Sequence, residues 1–321
     1  MTLRAVWSFW SKPHRAGRDK SWASDWHHWL SWGLSVHAAR RNYPDTCLVT
    51  DDAGARILVD ALGLPFARVS TALNALDDAD PQWWALGKLE AYRRQTAPFV
   101  HIDADVFLWK KLRRGVSGCG VFAQNPEPIP SLDTCYRPDI VEDCLGGRGN
   151  GRGNGWIPRE WRWYRGARPS WRAECCGIFG GTRTDFIRHY AGRALRMASD
   201  PRNRARLDGL PGKEGHMILL EQFLLSACLD YHAGRAASPF ADVRIGYVFD
   251  RLDLAYSADA AEAAGFTHLA AGAKRDRRVC RDLEWRVQTD LPEFYERCRR
   301  TMAYPPATIA NNLSRSSGAP T

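Results

Sequence analysis

The segment Phe99-Val100-His101-Ile102-Asp103-Ala104-Asp105-Val106-Phe107-Leu108-Trp109 decides how this 321-residue chain is read. A short apolar run with strand character leads into a polar turn at Asp103, and a second apolar run starts at Val106. Between the two carboxylates Ala104 is small, so both can converge on one hard divalent cation while the backbone turns. Open α/β sheets gather ligands at the carboxyl ends of their strands, which is where this order puts Asp103 and Asp105. Without its neighbours an Asp-x-Asp turn fits a solvated loop better than a metal site, so the flanking strand pattern carries the reading.

Working outward, strands alternate with helices. Residues 5–10 form an aromatic, β-prone run closed by a turn signal at Ser11-Lys12-Pro13. Apolar residues at helical spacing follow over 24–41, with Ser24 or Asp25 as N-cap and Tyr43-Pro44 as the stop. A strand is expected at 47–50, a helix at 53–62, a strand at 66–69 and a helix bearing Lys88 at 83–94. Downstream the pattern predicts a strand over 176–181, helices over 185–197 and 215–231, strands over 243–249 and 266–269, and a last helix over 291–302. This alternation implies an α/β fold: one Rossmann-like domain over 1–302, a mostly parallel central sheet flanked by helices, and a tail over 303–321. The glycine- and arginine-rich stretch 145–155 is expected to be a mobile loop, read either as an insertion or as a flap over a bound diphosphate.

Composition narrows the function. With 45% hydrophobic and 25% charged residues the chain can bury a large core. It has no apolar run of about 18 residues and no basic-then-apolar leader pattern, which gives the expectation of a cytoplasmic protein without a transmembrane segment. Nine cysteines lie scattered without a CxxC pair, so neither a disulfide framework nor a cysteine zinc cluster is indicated. The net charge of +9 suits a polyanionic ligand; its spread along the chain favours a phosphate-bearing small molecule over nucleic acid.

The order Lys88-Leu89, then His101-Ile102-Asp103-Ala104-Asp105, resembles the metal-dependent glycosyltransferases of the GT-A fold, in particular the glycogenin-like family and its bacterial relatives. A second likeness is His268-Leu269-Ala270-Ala271-Gly272-Ala273-Lys274, which reproduces that family's spacing of six residues from histidine to lysine; Gly272 stands one residue late, and Pro-Trp does not follow. The resemblance implies a Mn²⁺ or Mg²⁺ ion held by Asp103, Asp105 and His268, with Lys88 and Lys274 on the donor diphosphate. Glu221-Gln222 resembles the family's Asp-Gln pair at the donor sugar, and Glu174 falls where the family has an asparagine that this chain lacks. Such a fold cradles the base and ribose near Trp7, Lys12, Thr50 and Asp51, although Trp7 equally suits the core.

The implied activity is transfer of a sugar from a nucleotide-diphosphate donor, with a UDP-sugar favoured, to an acceptor hydroxyl beside the Trp-rich segment of Trp156, Trp161, Trp163 and Trp171. The His-to-Lys spacing leans towards retention of configuration. A nucleotidyltransferase is disfavoured because the first strand is not followed by a glycine-rich phosphate loop. The rival from another class is a basic nucleic-acid- or polyanion-binding protein without turnover.

Overall fold

The computed structural model describes residues 2–17, 21–129, 136–146 and 155–303. Its first strands are β1 (Arg4–Phe9), β2 (Thr46–Thr50), β3 (Arg68–Ser70), β4 (Phe99–Ile102), β5 (Val106–Leu108) and β6 (Val121–Ala123). They are followed by β7 (Pro126–Ile129), β8 (Trp171–Glu174), β9 (Ile178–Gly181), β10 (Ile245–Tyr247) and β11 (Phe266–His268). The fold is α/β, with a seven-stranded, mostly parallel central sheet in the order β10-β6-β9-β4-β1-β2-β3 and helices flanking it. Among the described residues the chain forms two compact units, one of 2–3, 82–101 and 112–264, the other of 4–81, 102–111 and 265–303.

In the second of these units β1, β2 and β3 run parallel, Ala5 to Phe9 matching Thr46 to Thr50. All five residues of β2 are buried, as expected of a central parallel strand, which reads as a continuous apolar run. The helix Asp25–Arg40 is capped by Ser24, whose side chain accepts from His27 N–H. A tight turn was expected at Ser11-Lys12-Pro13, but a short helix, Ser11–Arg15, begins there; Pro13 is tolerated because the first turn needs no N–H donor. The strand expected over 266–269 exists as β11 but pairs antiparallel with β5, Val106 opposite His268, in a separate two-stranded ribbon. The helix Arg277–Asp290, absent from the sequence expectation, precedes the final helix Pro292–Ala303.

In the first unit β10 runs parallel to β6, while β6 and β9 are antiparallel. The strands β7 and β8 form a two-stranded antiparallel ribbon. The Trp- and Arg-rich stretch contains a helix, Arg159–Ala167. The helix expected over 215–231 is a composite: α-helical at Lys213–Ile218, a π segment at Leu219–Phe223, and α-helical again at Leu224–Ala233. Of the loop expected at 145–155, residues 147–154 lie outside the described residues, as do 304–321 of the tail.

The largest fully buried side chains include Trp7, Trp29 and Trp161. Burying each aromatic side chain is worth roughly 1.5–3 kcal/mol before edge-to-face contacts are counted. Every described cysteine is free, and most are buried. No described helix is long and apolar enough to cross a membrane.

Candidate functional site

The Asp103-Ala104-Asp105 turn leaves β4 and is closed by Val106 N–H donating to the Asp103 carbonyl across 3.0 Å. Two hydroxyls of the helix Asp25–Arg40 hold the same backbone. Ser35 Oγ donates to the Asp103 carbonyl at 3.1 Å, and Ser31 Oγ to the Ala104 carbonyl at 2.5 Å. Spaced i and i+4, these serines share one helix face, so one rigid element fixes two successive peptide units. Trp7 Nε1 in turn donates to Ser35 Oγ at 2.9 Å. Trp7 thus supports the turn from within the core, with no ring face exposed for stacking on a base.

Within this unit the turn meets β11 and the loop after it. Leu269 N–H donates to the Asp105 carbonyl at 3.0 Å. The buried Asp105 carboxylate forms an ion pair with Lys274 through Oδ2, and its Oδ1 lies 3.7 Å from His268 Nε2. Among the described residues Oδ1 has no hydrogen-bond partner. Burial alone would raise the Asp105 pKa, but the Lys274 ammonium and then the His268 imidazole outweigh it and hold the group far below the usual carboxylate range. Asp103 and Ala104 are half-buried, and among the described residues Asp103, Asp105 and His268 do not bring three ligand atoms within 4.8 Å of one another, so the expected triad is present only as the pair Asp105 and His268.

Ala271, in the 3-10 turn between His268 and Lys274, has φ +47°. This is where the family likeness would put glycine, and a side chain there costs about 1–2 kcal/mol. The loop is tied back by Ala23 N–H, which donates to the Lys274 carbonyl at 3.1 Å. Two histidines that the sequence reading did not single out lie in the same unit. His14 and His28 stack with ring centroids 5.0 Å apart, and both are buried. Burial, then His14 and Lys274, push the His28 pKa well below its usual value against the pull of Asp105, so His28 is neutral.

The residues expected at the base and ribose are engaged in local structure. Asp51 accepts from Ser11 N–H at 2.9 Å, Ser11 Oγ at 2.8 Å and Gly54 N–H at 2.7 Å, capping the short helix Asp52–Ala55. Thr50 Oγ1 donates to the Phe9 carbonyl at 2.5 Å. Lys12 Nζ donates to the carbonyls of Asp77 and Ala79.

Lys88, Glu221 and Gln222 belong to the other unit. Lys88 Nζ lies 2.6 Å from Glu221 Oε1 and donates to the Cys176 carbonyl at 3.3 Å. Glu221 is fully buried on the π segment; Tyr92 OH donates to its Oε1 at 3.2 Å, while Oε2 has no hydrogen-bond partner among the described residues. A π segment within a helix rotates a side chain out of its regular position and recurs at functional sites. The Tyr136 hydroxyl sits between Gln222 Oε1 and Glu127 Oε2. Glu174 is buried, accepting from Arg172 Nε, Ser226 Oγ and Tyr247 OH at 2.9 Å each; its pKa is raised because burial exceeds the pull of Arg172.

Beside the Trp-rich segment a cavity of about 620 Å³ is lined by Trp161, Arg165 and Trp171, among others. Arg165 lies over the Trp171 ring at 4.1 Å and pairs with Glu142, while Arg196 covers Trp156 at 4.2 Å. Guanidinium groups therefore take indole faces that the sequence reading offered to an acceptor sugar.

Fold and cluster together define an α/β protein with a carboxylate, imidazole and ammonium group gathered where a sheet strand ends. Residues 3–301 match the family of unknown function DUF6734, and the chain belongs to that family. No curated protein matches it. Among solved structures it is similar to the apo structure of the bifunctional glycosyltransferase WbbM at 12% identity and a TM-score of 0.40, over 92% of this chain and 51% of that one. The chain thus spans about half the length of that structure.

Proposed function

We propose that the protein transfers a sugar from a nucleotide-diphosphate donor, with a UDP-sugar favoured, to an acceptor hydroxyl in a reaction that depends on Mn²⁺ or Mg²⁺. The observation that carries this reading is the Asp105 carboxylate, buried with Oδ1 lacking a hydrogen-bond partner among the described residues, 3.7 Å from His268 Nε2 and ion-paired with Lys274. Two ligands of one divalent ion, with bonds of about 2.1 Å, lie roughly 3–4 Å apart, so this separation fits the group. Asp105 and His268 would hold the ion, with Asp103 of the same turn as the third ligand that the family resemblance implies. A divalent cation there supplies Lewis-acid stabilisation of the diphosphate leaving group.

The protein's own contribution is preorganisation. Ser31 and Ser35 fix the turn that leads to Asp105, and the strained Ala271 lies in the loop that carries His268 and Lys274. Lys274 adds fixed positive charge where negative charge builds on the departing nucleoside diphosphate.

Calorimetry with UDP and GDP, with and without Mn²⁺, tests the reading on wild type, on Asp103→Ala with Asp105→Ala, and on His268→Ala. UDP is expected to bind the wild type only with metal present. The double variant should lose binding altogether and His268→Ala should bind at least tenfold more weakly. Binding that ignores the metal, or survives in the double variant, would sink the proposal.

A further inference from the structure

Away from the Asp-x-Asp turn, one side chain from each of three helices meets in the unit that contains β6 and β9. Glu160 comes from the first turn of Arg159–Ala167, His189 from Thr184–Ser199 and His232 from Leu224–Ala233. Glu160 Oε1 lies 3.2 Å from His189 Nε2 and 3.7 Å from His232 Nε2, and the two imidazole nitrogens are 3.2 Å apart. We propose that these three residues hold one Zn²⁺ ion, which bridges the three helices.

The distances carry the proposal. Zinc bonds of about 2.0–2.1 Å in tetrahedral geometry set ligand atoms roughly 3.3–3.4 Å apart, and the observed edges of 3.2, 3.2 and 3.7 Å bracket that value. The tautomer is also prepared. His232 Nδ1 lies 2.7 Å from Ser238 Oγ, which is itself held by Phe240 N–H at 3.1 Å. When Nδ1–H donates to that hydroxyl, Nε2 is left with its lone pair facing the other two ligands, as outer-shell partners of zinc-bound histidines do. Phe240 packs against both rings with centroids 5.1 Å away, which fixes their planes.

Ion pairing alone does not complete the cluster. Arg159 and Arg193 approach Glu160 Oε1 with Nε atoms at 3.5 Å, yet Oε2 of this fully buried residue has no hydrogen-bond partner among the described residues. A cation bound through Oε1 and the two imidazoles would compensate the negative charge of this buried carboxylate. Imidazole nitrogen with one carboxylate suits zinc better than magnesium or calcium, which prefer oxygen. The fourth position is left to water, with an approach beside His189, whose side chain is 20% exposed. This inference does not depend on glycosyl transfer.

The test strips the full chain with a chelator, reloads it with ZnCl₂, desalts it and measures bound zinc by mass spectrometry. Wild type and Asp105→Asn should each retain one zinc per chain. His189→Asn and Glu160→Gln should retain less than a tenth of that while keeping the wild-type circular dichroism. Loss of zinc from Asp105→Asn alone, retention in the His189 variant, or no zinc in wild type would each overturn the site. Should the variants not fold, Co²⁺-substituted wild type decides: visible bands of a tetrahedral nitrogen and oxygen centre are expected. A thiolate-to-cobalt charge-transfer band would place the metal on cysteine and refute the proposal.

Discussion

His28 accepts a hydrogen bond at Nε2 from Trp32 Nε1 across 3.2 Å, so its neutral form is built into the core of the site. Burial, His14 and Lys274 all oppose protonation, with only Asp105 favouring it. The folded pKa is therefore depressed below the ordinary value of 6.5, and the resulting stability is complete above that pH. As pH falls below it the unfolded chain takes up a proton that the folded one refuses, and stability drops by up to about 1.4 kcal/mol per pH unit. Urea melts at about pH 7.5 and about pH 5.5 should show this loss in wild type and a smaller one in His28→Gln, which keeps an acceptor for Trp32. Equal losses would mean that His28 is protonated in the folded protein. At this scale the meeting of Asp105 with His268 and Lys274 was legible because sequence spacing carried it. His14 and His28 were not, since a histidine's neighbours are set by tertiary packing; for Ser31 and Ser35 the i, i+4 spacing in an apolar helix was the available signal.

Between elements, one close approach in the unit containing β1 is made at a glycine. A Cβ at Gly33, in the middle of Asp25–Arg40, would lie 2.0 Å from Cε1 of Phe294, which belongs to Pro292–Ala303. The last helix therefore lays an aromatic ring directly on the backbone of the helix whose Ser31 and Ser35 hold the carboxylate turn. Gly33→Ala gains helix propensity of about 1 kcal/mol but forces the ring aside, for an expected net loss of about 1–2 kcal/mol in urea denaturation. Adding Phe294→Leu should recover part of it; a Gly33→Ala protein as stable as wild type would show that the ring gives way freely. The helix was legible from its apolar spacing, and the need for glycine at this point was not, because the partner lies far along the chain. The π segment around Glu221 escaped the sequence reading for a similar reason. The apolar pattern specifies a buried helix, but the extra residue per turn is stabilised by partners such as Tyr92 and Tyr190, which come from other helices.

On the scale of the whole molecule, the α/β class followed from alternation of strands and helices, whereas the two compact units did not. Each is assembled from separate stretches of sequence, so no linker marks a boundary between them. The net charge of +9 invites the polyanion-binding reading, but local pairing argues against it. Arg4 and Arg68 share Asp45, Arg93 and Arg94 share Glu90, and Arg168 and Arg172 share Asp230. Arg196 and Arg202 share Asp200, while Arg183 spans Asp185 and Asp242. These nine arginines share six carboxylates, so part of their charge is offset where it stands. A protein making six to ten phosphate contacts loses roughly 10³–10⁵-fold in affinity between about 50 and 200 mM salt. UDP with Mn²⁺, meeting a single compact cluster, should lose no more than about tenfold over that range, and duplex DNA should bind weakly and without need of metal. Measured side by side, a steep slope for DNA at sub-micromolar affinity would favour the binding protein. A shallow, metal-dependent isotherm for UDP would favour the transferase, since only a site built around a few fixed charges is indifferent to the salt that screens a diffuse one.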